Sequence, residues 1–210
     1  MTSSLAIVGA GGHGHVVADC AEALGWGRIE FFDNAGAAGP GPWPVVGSVE
    51  ALLARLADYD AVIVGIGANR PRLELHRTLA AHGGAMATLI HPGATVSRHA
   101  RVGGGSIVCA GAVVGFGAVV GEACIINTAA TVDHGDRLAD GVHVSPGAHL
   151  AGDVTVGECS WVGLGAAVRE GVRIGRDVRV GAGAAVVAAT PDGIDVVGVP
   201  ARPLGRSPDA

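Results

Sequence analysis

The chain is poor in aromatic residues, which make up 3% of its 210 positions, and it has no run of basic residues. With a formal net charge of −5, this composition argues against a nucleic-acid-binding surface. No stretch resembles a signal peptide or a bilayer-spanning segment, so we expect a cytoplasmic protein with no membrane partner. The cysteines form no Cys-x-x-Cys pair, and we expect packing roles in a reducing compartment for Cys20, Cys109, Cys124 and Cys159.

What the chain has in abundance is glycine, at 36 positions, together with a six-residue repeat of aliphatic residues. Every sixth residue from Ile90 to Val186 is Ile, Val or Leu, and a small residue follows four positions later in most units. Neither an amphipathic helix nor a plain strand has this period. A strict hexapeptide repeat predicts a parallel β-helix, with three hexapeptides in each coil. Residues 18 apart in sequence should then stack about 4.8 Å from each other.

The first 88 residues predict a small parallel α/β domain, because short apolar strands alternate with helical segments. Gly9, Gly11 and Gly14 form a GxGxxG turn between a strand and a helix, and Asp33 follows at the end of the next strand. Such a turn lets a pyrophosphate approach the backbone at a helix N-terminus. The domain is about half the size of a full dinucleotide-binding fold, so we expect one nucleotide rather than NAD. A glycine turn without a ligand is the alternative.

Motifs along nearly the whole chain resemble the nucleotide-sugar N-acetyltransferases of the hexapeptide-repeat acyltransferases, typified by the UDP-4-amino-sugar enzyme of bacillosamine synthesis. The sialic acid O-acetyltransferases are relatives. The motifs are, in chain order, Gly9-Ala10-Gly11-Gly12-His13-Gly14, Phe32-Asp33, Ile66–Arg72, Ile90-His91-Pro92, Asn127-Thr128, Asp133-His134, Val142-His143-Val144 and Gly198–Arg202.

The resemblance implies a Rossmann-like domain over residues 1–88 that binds the nucleotide sugar. It also implies a left-handed parallel β-helix over residues 89–190, which forms a homotrimer, and a C-terminal tail over residues 191–210. Acetyl-CoA is expected in a groove between adjacent coils, and no metal is expected. The product would be a modified sugar for a glycan or a glycosylated natural product.

Acetyl transfer requires a base for the incoming amine or hydroxyl group and hydrogen-bond donors for the oxyanion. His134 is the candidate base because imidazole titrates near neutral pH, and it should point outward, two positions after the inward Val132. Gly152 lies 18 positions after His134. Its backbone should therefore stack over the base, leave room for a thioester, and offer its N–H to the acetyl carbonyl. The family uses the matching glycine N–H in this way.

The chain departs from the family pattern at two positions. Family members carry an acidic residue directly after the base, where this chain has Gly135. We expect Asp133 or Asp136 to orient the base instead, with turn capping as the alternative role for Asp136. The family often has a second acid after Asp33, where this chain has Asn34, so the choice between UDP, dTDP and GDP stays open.

The resemblance assigns the remaining candidate site residues. The residues expected to hold the nucleotide sugar are Gly9, Gly11, Gly12, His13, Gly14, Asp33, Asn34, Gly67, Arg72 and Asn127. The residues expected at the acetyl-CoA site are His143, Gly152, Leu164, Gly181 and Ala182. His143 lies half a coil away from His134, on another face, which favours a site shared between subunits.

Two other classes of function are alternatives to acetyl transfer: a zinc enzyme and a non-catalytic binding protein. The γ-type carbonic anhydrases are also left-handed β-helices, with zinc held by stacked histidines. No metal site is expected here, because no multiple of 18 separates any two of His91, His99, His134, His143 and His149. A non-catalytic sugar-nucleotide-binding protein stays open because of Gly135. We expect an N-acetyltransferase of a nucleotide-linked amino sugar, a 4-amino-4,6-dideoxyhexose, with O-acetylation of a sialic acid-type sugar as the alternative.

Overall fold

The computed structural model describes residues 3–36 and 41–204, which form an α/β domain followed by a β-helix. Residues 37–40 and the last part of the predicted tail (205–210) lie outside the described residues. No helix in the described part of the chain is both long and apolar enough to cross a bilayer.

The α/β domain is a parallel sheet with strand order β3-β2-β1-β4, flanked by helices. All five residues of β1 are buried, which makes it the centre of this small core. The elements are β1 (Ser4–Val8), α1 (Gly12–Ala23), β2 (Arg28–Phe32), β3 (Val45–Gly47), α2 (Val49–Leu53), β4 (Ala61–Val64) and α3 (Asn69–Ala81), with a 3-10 turn at Leu56–Asp58.

The β-helix consists of two-residue strands that form three parallel sheets, which we number in chain order. The first sheet contains β5 (Leu89–Ile90), β8 (Ile107–Val108), β11 (Ile125–Ile126), β14 (His143–Val144), β17 (Trp161–Val162) and β20 (Arg179–Val180). The second contains β6 (Thr95–Val96), β9 (Val113–Val114), β12 (Thr131–Val132), β15 (His149–Leu150), β18 (Ala167–Val168) and β21 (Ala185–Val186). The third contains β7 (Arg101–Val102), β10 (Val119–Val120), β13 (Arg137–Leu138), β16 (Thr155–Val156) and β19 (Arg173–Ile174).

The register of these sheets confirms the predicted coil. Thr131 pairs with His149 and Val132 with Leu150, so each residue contacts the residue 18 positions later. The second residue of each strand points into a continuous apolar core, and small residues such as Ala130 and Cys124 fill the space beside it. All four cysteines are buried and unbonded to each other, in agreement with the predicted packing role.

The β-helix extends past residue 190, where the sequence predicts a tail. Strand β22 (Asp195–Val197) pairs in parallel with β20, and β23 (Arg202–Pro203) adds an antiparallel strand. Val196 is buried in the same core as the earlier coils. The six-residue repeat of aliphatic residues does not predict this strand, because Val196 comes ten residues, not six, after Val186.

The two domains are held together by α3 and by the outer face of the first sheet. Leu89, Ile107 and Ile125 pack against α1 in one apolar cluster. Side chains of α3 also make polar contacts with the β-helix, and these include His76 with Glu122 at 3.0 Å and Arg77 with Glu158 at 2.7 Å. The relative orientation of the two domains is therefore fixed by the chain itself.

Arg72 is the centre of this contact, and its predicted role in nucleotide binding is corrected. The side chain is 1% exposed, and its five N–H groups donate to five acceptors at 2.8–3.1 Å. A guanidinium has no further N–H group to offer a ligand. The acceptors are the carbonyl oxygens of Ile66, Gly67, Ala123 and Gly141 and the side-chain oxygen of Asn69.

We predict that Arg72→Ala lowers the free energy of unfolding by at least about 3 kcal/mol, because it leaves several buried carbonyl groups without donors. Urea unfolding monitored by circular dichroism measures the loss. Arg70→Ala, two residues earlier on α3, removes only an exposed ion pair with Asp177 and should cost less than about 1 kcal/mol. Equal losses in the two variants would contradict the assignment of Arg72 as the clamp between the domains.

Candidate active site

The glycine turn lies between β1 and α1 and is open on one side. Gly9 has a φ of +101°, and a Cβ atom on Gly14 would lie 3.0 Å from the Gly9 carbonyl carbon, so both positions require glycine. By contrast, a Cβ atom on Gly11 or Gly12 would meet nothing within 4 Å. The backbone at the start of α1 is thus accessible to a ligand.

Asp33 and Asn34 lie beside this turn but are partly committed to the chain's own backbone. Asp33 accepts hydrogen bonds from the N–H groups of Ala10 (2.8 Å) and Ala35 (2.7 Å), and Asn34 accepts one from Val49 (3.1 Å). Together with Gly9 they line a cavity of about 200 Å³. Asp33 therefore fixes the shape of the turn as well as facing the cavity.

His13, which is half-buried, and His143, which is buried, lie near Arg72. Burial and, to a smaller extent, the charge of Arg72 lower the pKa of His13 to about 4 and that of His143 to about 3. Nε2 of His13 and Nδ1 of His143 are buried and have no partner among the described residues. Asn127 donates to Nε2 of His143 at 3.1 Å, and Gly67 lies next to His13. Both imidazoles are neutral at physiological pH.

A groove lies next to His143 and is reached through Trp161. The ring of His143 stacks on Trp161 with a centroid distance of 4.5 Å. Trp161 in turn lines a groove of about 450 Å³ together with Leu164, Gly181 and Ala182, and Leu164 is 57% exposed. The structure thus brings together His143, Leu164, Gly181 and Ala182, four of the five residues that the resemblance assigns to the acetyl-CoA site, whereas Gly152 lies elsewhere, beside His134.

The candidate base lies on another edge of the β-helix, where the chain turns from the second sheet to the third. His134 is exposed, as predicted, and the Asp153 N–H donates to its carbonyl oxygen at 2.9 Å. A Cβ atom on Gly152 would lie 2.8 Å from Nδ1 of His134 and closer still to Cε1 and Nε2. The imidazole therefore occupies the space in which we expect the thioester from the sequence. Among the described residues, the Gly152 N–H donates to no acceptor.

The expected carboxylate partners do not hydrogen-bond to the imidazole. Asp133 accepts the backbone N–H of His134 at 2.7 Å. Asp136 is fully buried and accepts the N–H groups of Asp133 and Val154, each at 2.8 Å. Burial raises the pKa of Asp136 to about 7. Asp136 therefore caps the turn, which is the alternative role stated for it.

Comparisons with known proteins agree with this geometry. The PglD N-terminal domain family matches residues 4–79. The acetyltransferase domain of PglB from Neisseria gonorrhoeae FA1090, in complex with acetyl coenzyme A, is 45% identical, with a TM-score of 0.93 over 97% of this chain and 100% of that chain. A histidine mutant of perosamine N-acetyltransferase from Caulobacter crescentus, in complex with CoA and GDP-perosamine, is 38% identical, with a TM-score of 0.93 over 98% and 99% of the two chains.

WeeI from Acinetobacter baumannii AYE is 25% identical, with a TM-score of 0.85 over 97% of this chain and 100% of that chain. No match is found among curated protein sequences. The chain belongs to the nucleotide-sugar N-acetyltransferases. The acetyltransferase therefore has the expected Rossmann-like domain and left-handed β-helix.

Within one chain of the acetyltransferase, the candidate base and the groove lie apart. His134 is at the corner between the second and third sheets, whereas the groove lies on the first sheet and its corner with the second. Trp161 and Arg179 also line the groove and are not among the residues predicted from the sequence. The 18-residue rule points to both, because they follow His143 in one column.

The described residues contain no group of three or more His, Cys, Asp or Glu side chains that could hold a metal ion. The site is built instead from imidazole rings, glycine backbone and carboxylates.

We predict that Gly152→Ala reduces kcat of the acetyltransferase about 100-fold, because the new methyl group displaces the imidazole ring of His134, which we expect to act as general base. Steady-state release of CoA measures the change, and a thermal melt verifies the fold. Gly104→Ala is the matched control, because a Cβ atom there would make only an ordinary contact with Met86 at 3.4 Å. A wild-type rate in Gly152→Ala would refute the close contact between the two residues.

Proposed function

We propose that the acetyltransferase moves the acetyl group of acetyl-CoA to the amine of a nucleotide-linked amino sugar, a 4-amino-4,6-dideoxyhexose. The observation that carries this proposal is the His134 imidazole lying on the Gly152 backbone beside an uncommitted N–H group. The relatives support the choice of substrates, since one was solved with acetyl coenzyme A and another with CoA and GDP-perosamine.

The reaction is a direct attack on the thioester, without an acyl-enzyme. The amine nitrogen bonds to the carbonyl carbon, and the imidazole of His134 takes the proton that the nitrogen loses. The Gly152 N–H stabilises the oxyanion, a contribution typically of about 10²–10³ in rate. The C–S bond then breaks, and the imidazolium returns its proton to the leaving thiolate. The products are an amide and CoA.

The α/β domain is proposed to hold the nucleotide. The open backbone at Gly11 and Gly12, at the start of α1, offers N–H groups to a diphosphate. The cavity beside Asp33 and Asn34 would receive the nucleoside. Neutral His13, with an uncommitted ring nitrogen, lies where the sugar would leave the domain.

The groove is proposed to hold the pantetheine arm of acetyl-CoA. It is lined by the ring of Trp161, by Leu164 and by the small residues Gly181 and Ala182. Four buried, unpaired cysteines support action in a reducing compartment, the cytoplasm.

A homotrimer would bring the base of one subunit to the groove of the next. The second sheet supports this assembly, because its outward residues carry no carboxylate, lysine or arginine: they are Thr95, Val113, Thr131, His149, Ala167 and Ala185. The third sheet instead exposes Arg101, Arg137 and Arg173. When three such sheets face a common axis, each base corner meets a neighbour's groove corner.

A complementation experiment tests the shared site. His134→Ala lacks the base, and Ala182→Trp fills the exposed wall of the groove. Coexpression with two affinity tags yields mixed trimers, and each mixed trimer has an intact base facing an intact groove at one of its three sites. We expect about a third of the wild-type rate from mixed trimers and almost none from either variant alone. Mixed assemblies as inactive as their parents would contradict a site between subunits.

The reaction itself is tested with acetyl-CoA and a panel of UDP-, dTDP- and GDP-linked 4-amino sugars, by thiol release and product mass. We expect turnover on one sugar and a loss of about 10²–10⁴ in kcat for His134→Ala. His82→Ala, an exposed position at the end of α3, should turn over normally. Acetylation of a hydroxyl group only, or activity that survives His134→Ala, would contradict the proposal.

A further inference from the structure

The corner that carries the base contains a column of residues with left-handed backbone. Its members are Gly117, Gly135, Asp153 and Gly171, with φ between +60° and +71°. Glycine adopts this conformation freely, while other L residues are disfavoured and Asp is among those that tolerate it best. Asp153 is thus the only one of these four residues that has a side chain. It lies one coil after Gly135, the residue that directly follows His134.

The Asp153 side chain turns back toward the coil of the base. A Cβ atom on Gly135 would overlap with Oδ1 of Asp153 and lie 3.2 Å from its Cγ. The carboxylate therefore occupies the space of the side chain that Gly135 lacks. The Asp153 N–H, bonded to the His134 carbonyl oxygen at 2.9 Å, fixes this register.

The imidazole and this carboxylate occupy adjacent positions on the same pair of coils. His134 lies on Gly152, the residue directly before Asp153. In the described part of the chain no N–H or O–H group donates to the Asp153 carboxylate, whereas Asp133 and Asp136 both accept backbone hydrogen bonds. The structure has no hydrogen bond between the Asp153 carboxylate and the ring, and an exposed Asp side chain changes rotamer within nanoseconds.

We propose that Asp153 is the positioning residue for His134 and supplies, from the neighbouring coil, the acid that Gly135 lacks. The carboxylate accepts the N–H of the imidazole, which selects one tautomer and leaves the other ring nitrogen free to take the substrate proton. It also stabilises the imidazolium that forms during attack. This inference rests on the proposed role of His134 as the base.

Several other charged groups lie at this corner. Asp133 and Asp136 belong to the coil of the base, and Arg169 and Glu170 lie on the coil above Gly152. The residue below the base is the uncharged Phe116, whose carbonyl accepts the Gly135 N–H. Of these groups, Asp133 is the competing candidate for the orienting role.

The decisive variant is Asp153→Asn, because Asn also tolerates left-handed backbone and the fold should persist. We expect kcat to fall about 10- to 100-fold, as for other residues that orient a reactive histidine, with little change in either KM. The acid limb of the kcat/KM profile should move to lower pH, because the imidazolium loses a stabilising carboxylate. Asp177→Asn, at another left-handed corner (φ 53°), is the matched control and should change neither quantity.

A position swap separates chemistry from structure. Asp153→Gly combined with Gly135→Asp keeps one Asp and three glycines in the column but moves the acid next to the base. We expect the swap to recover most of the rate that Asp153→Gly alone loses. A swap as slow as Asp153→Gly would overturn the proposal.

Nitrogen-15 NMR of the imidazole supplies a readout that does not depend on turnover. At alkaline pH we expect a single His134 tautomer in the wild type and a mixture in Asp153→Asn, with His134→Ala used for assignment. An unchanged tautomer in Asp153→Asn, or a change in Asp133→Asn alone, would overturn the proposal. A wild type that acetylates no sugar yet shows the tautomer effect would instead count against the proposed reaction.

Discussion

The hydrogen bonds between successive coils are the constraint on which the active site depends, because they place residues 18 apart in direct contact. On one edge they put the Gly152 backbone against the imidazole of His134. On the first sheet they stack His143, Trp161 and Arg179 in one column. The aliphatic core keeps every coil at the same spacing. Functional groups distant in sequence therefore meet without any loop to position them.

Arg72 connects this rigid scaffold to the α/β domain. Its guanidinium bridges carbonyl groups of the glycine-rich strand end, at Ile66 and Gly67, with those of two coils, at Ala123 and Gly141. A buried cation is stable only when its donors are all used, and here they are. The clamp fixes the orientation of the glycine turn toward the β-helix.

The sequence predicts the repeating coils of this molecule but not the contacts that form when the α/β domain packs on them. The six-residue count predicts the coils, and the count of 18 places Gly152 over His134, because both follow from a regular backbone. The clamp role of Arg72 is hidden, since it arises only when α3 docks on the coils. The proposed role of Asp153 also follows from the count of 18, because Asp153 lies 18 positions after Gly135. Proximity in sequence alone favours Asp133 and Asp136, and it cannot reveal an acid that reaches the base from the next coil.

The distribution of charge matches the two ends of the proposed substrate. Burial and, to a smaller extent, the charge of Arg72 keep the imidazoles of His13 and His143 neutral. The positive charge of Arg72 also favours a negative diphosphate near the glycine turn. At the base corner Asp133 and Asp153 are exposed, and their negative charge attracts the amino end of the sugar and stabilises the imidazolium that forms during attack. A nucleotide amino sugar carries these opposite charges at opposite ends. Placing the two regions on different subunits of a trimer would orient the substrate across the interface, with the amine toward the base.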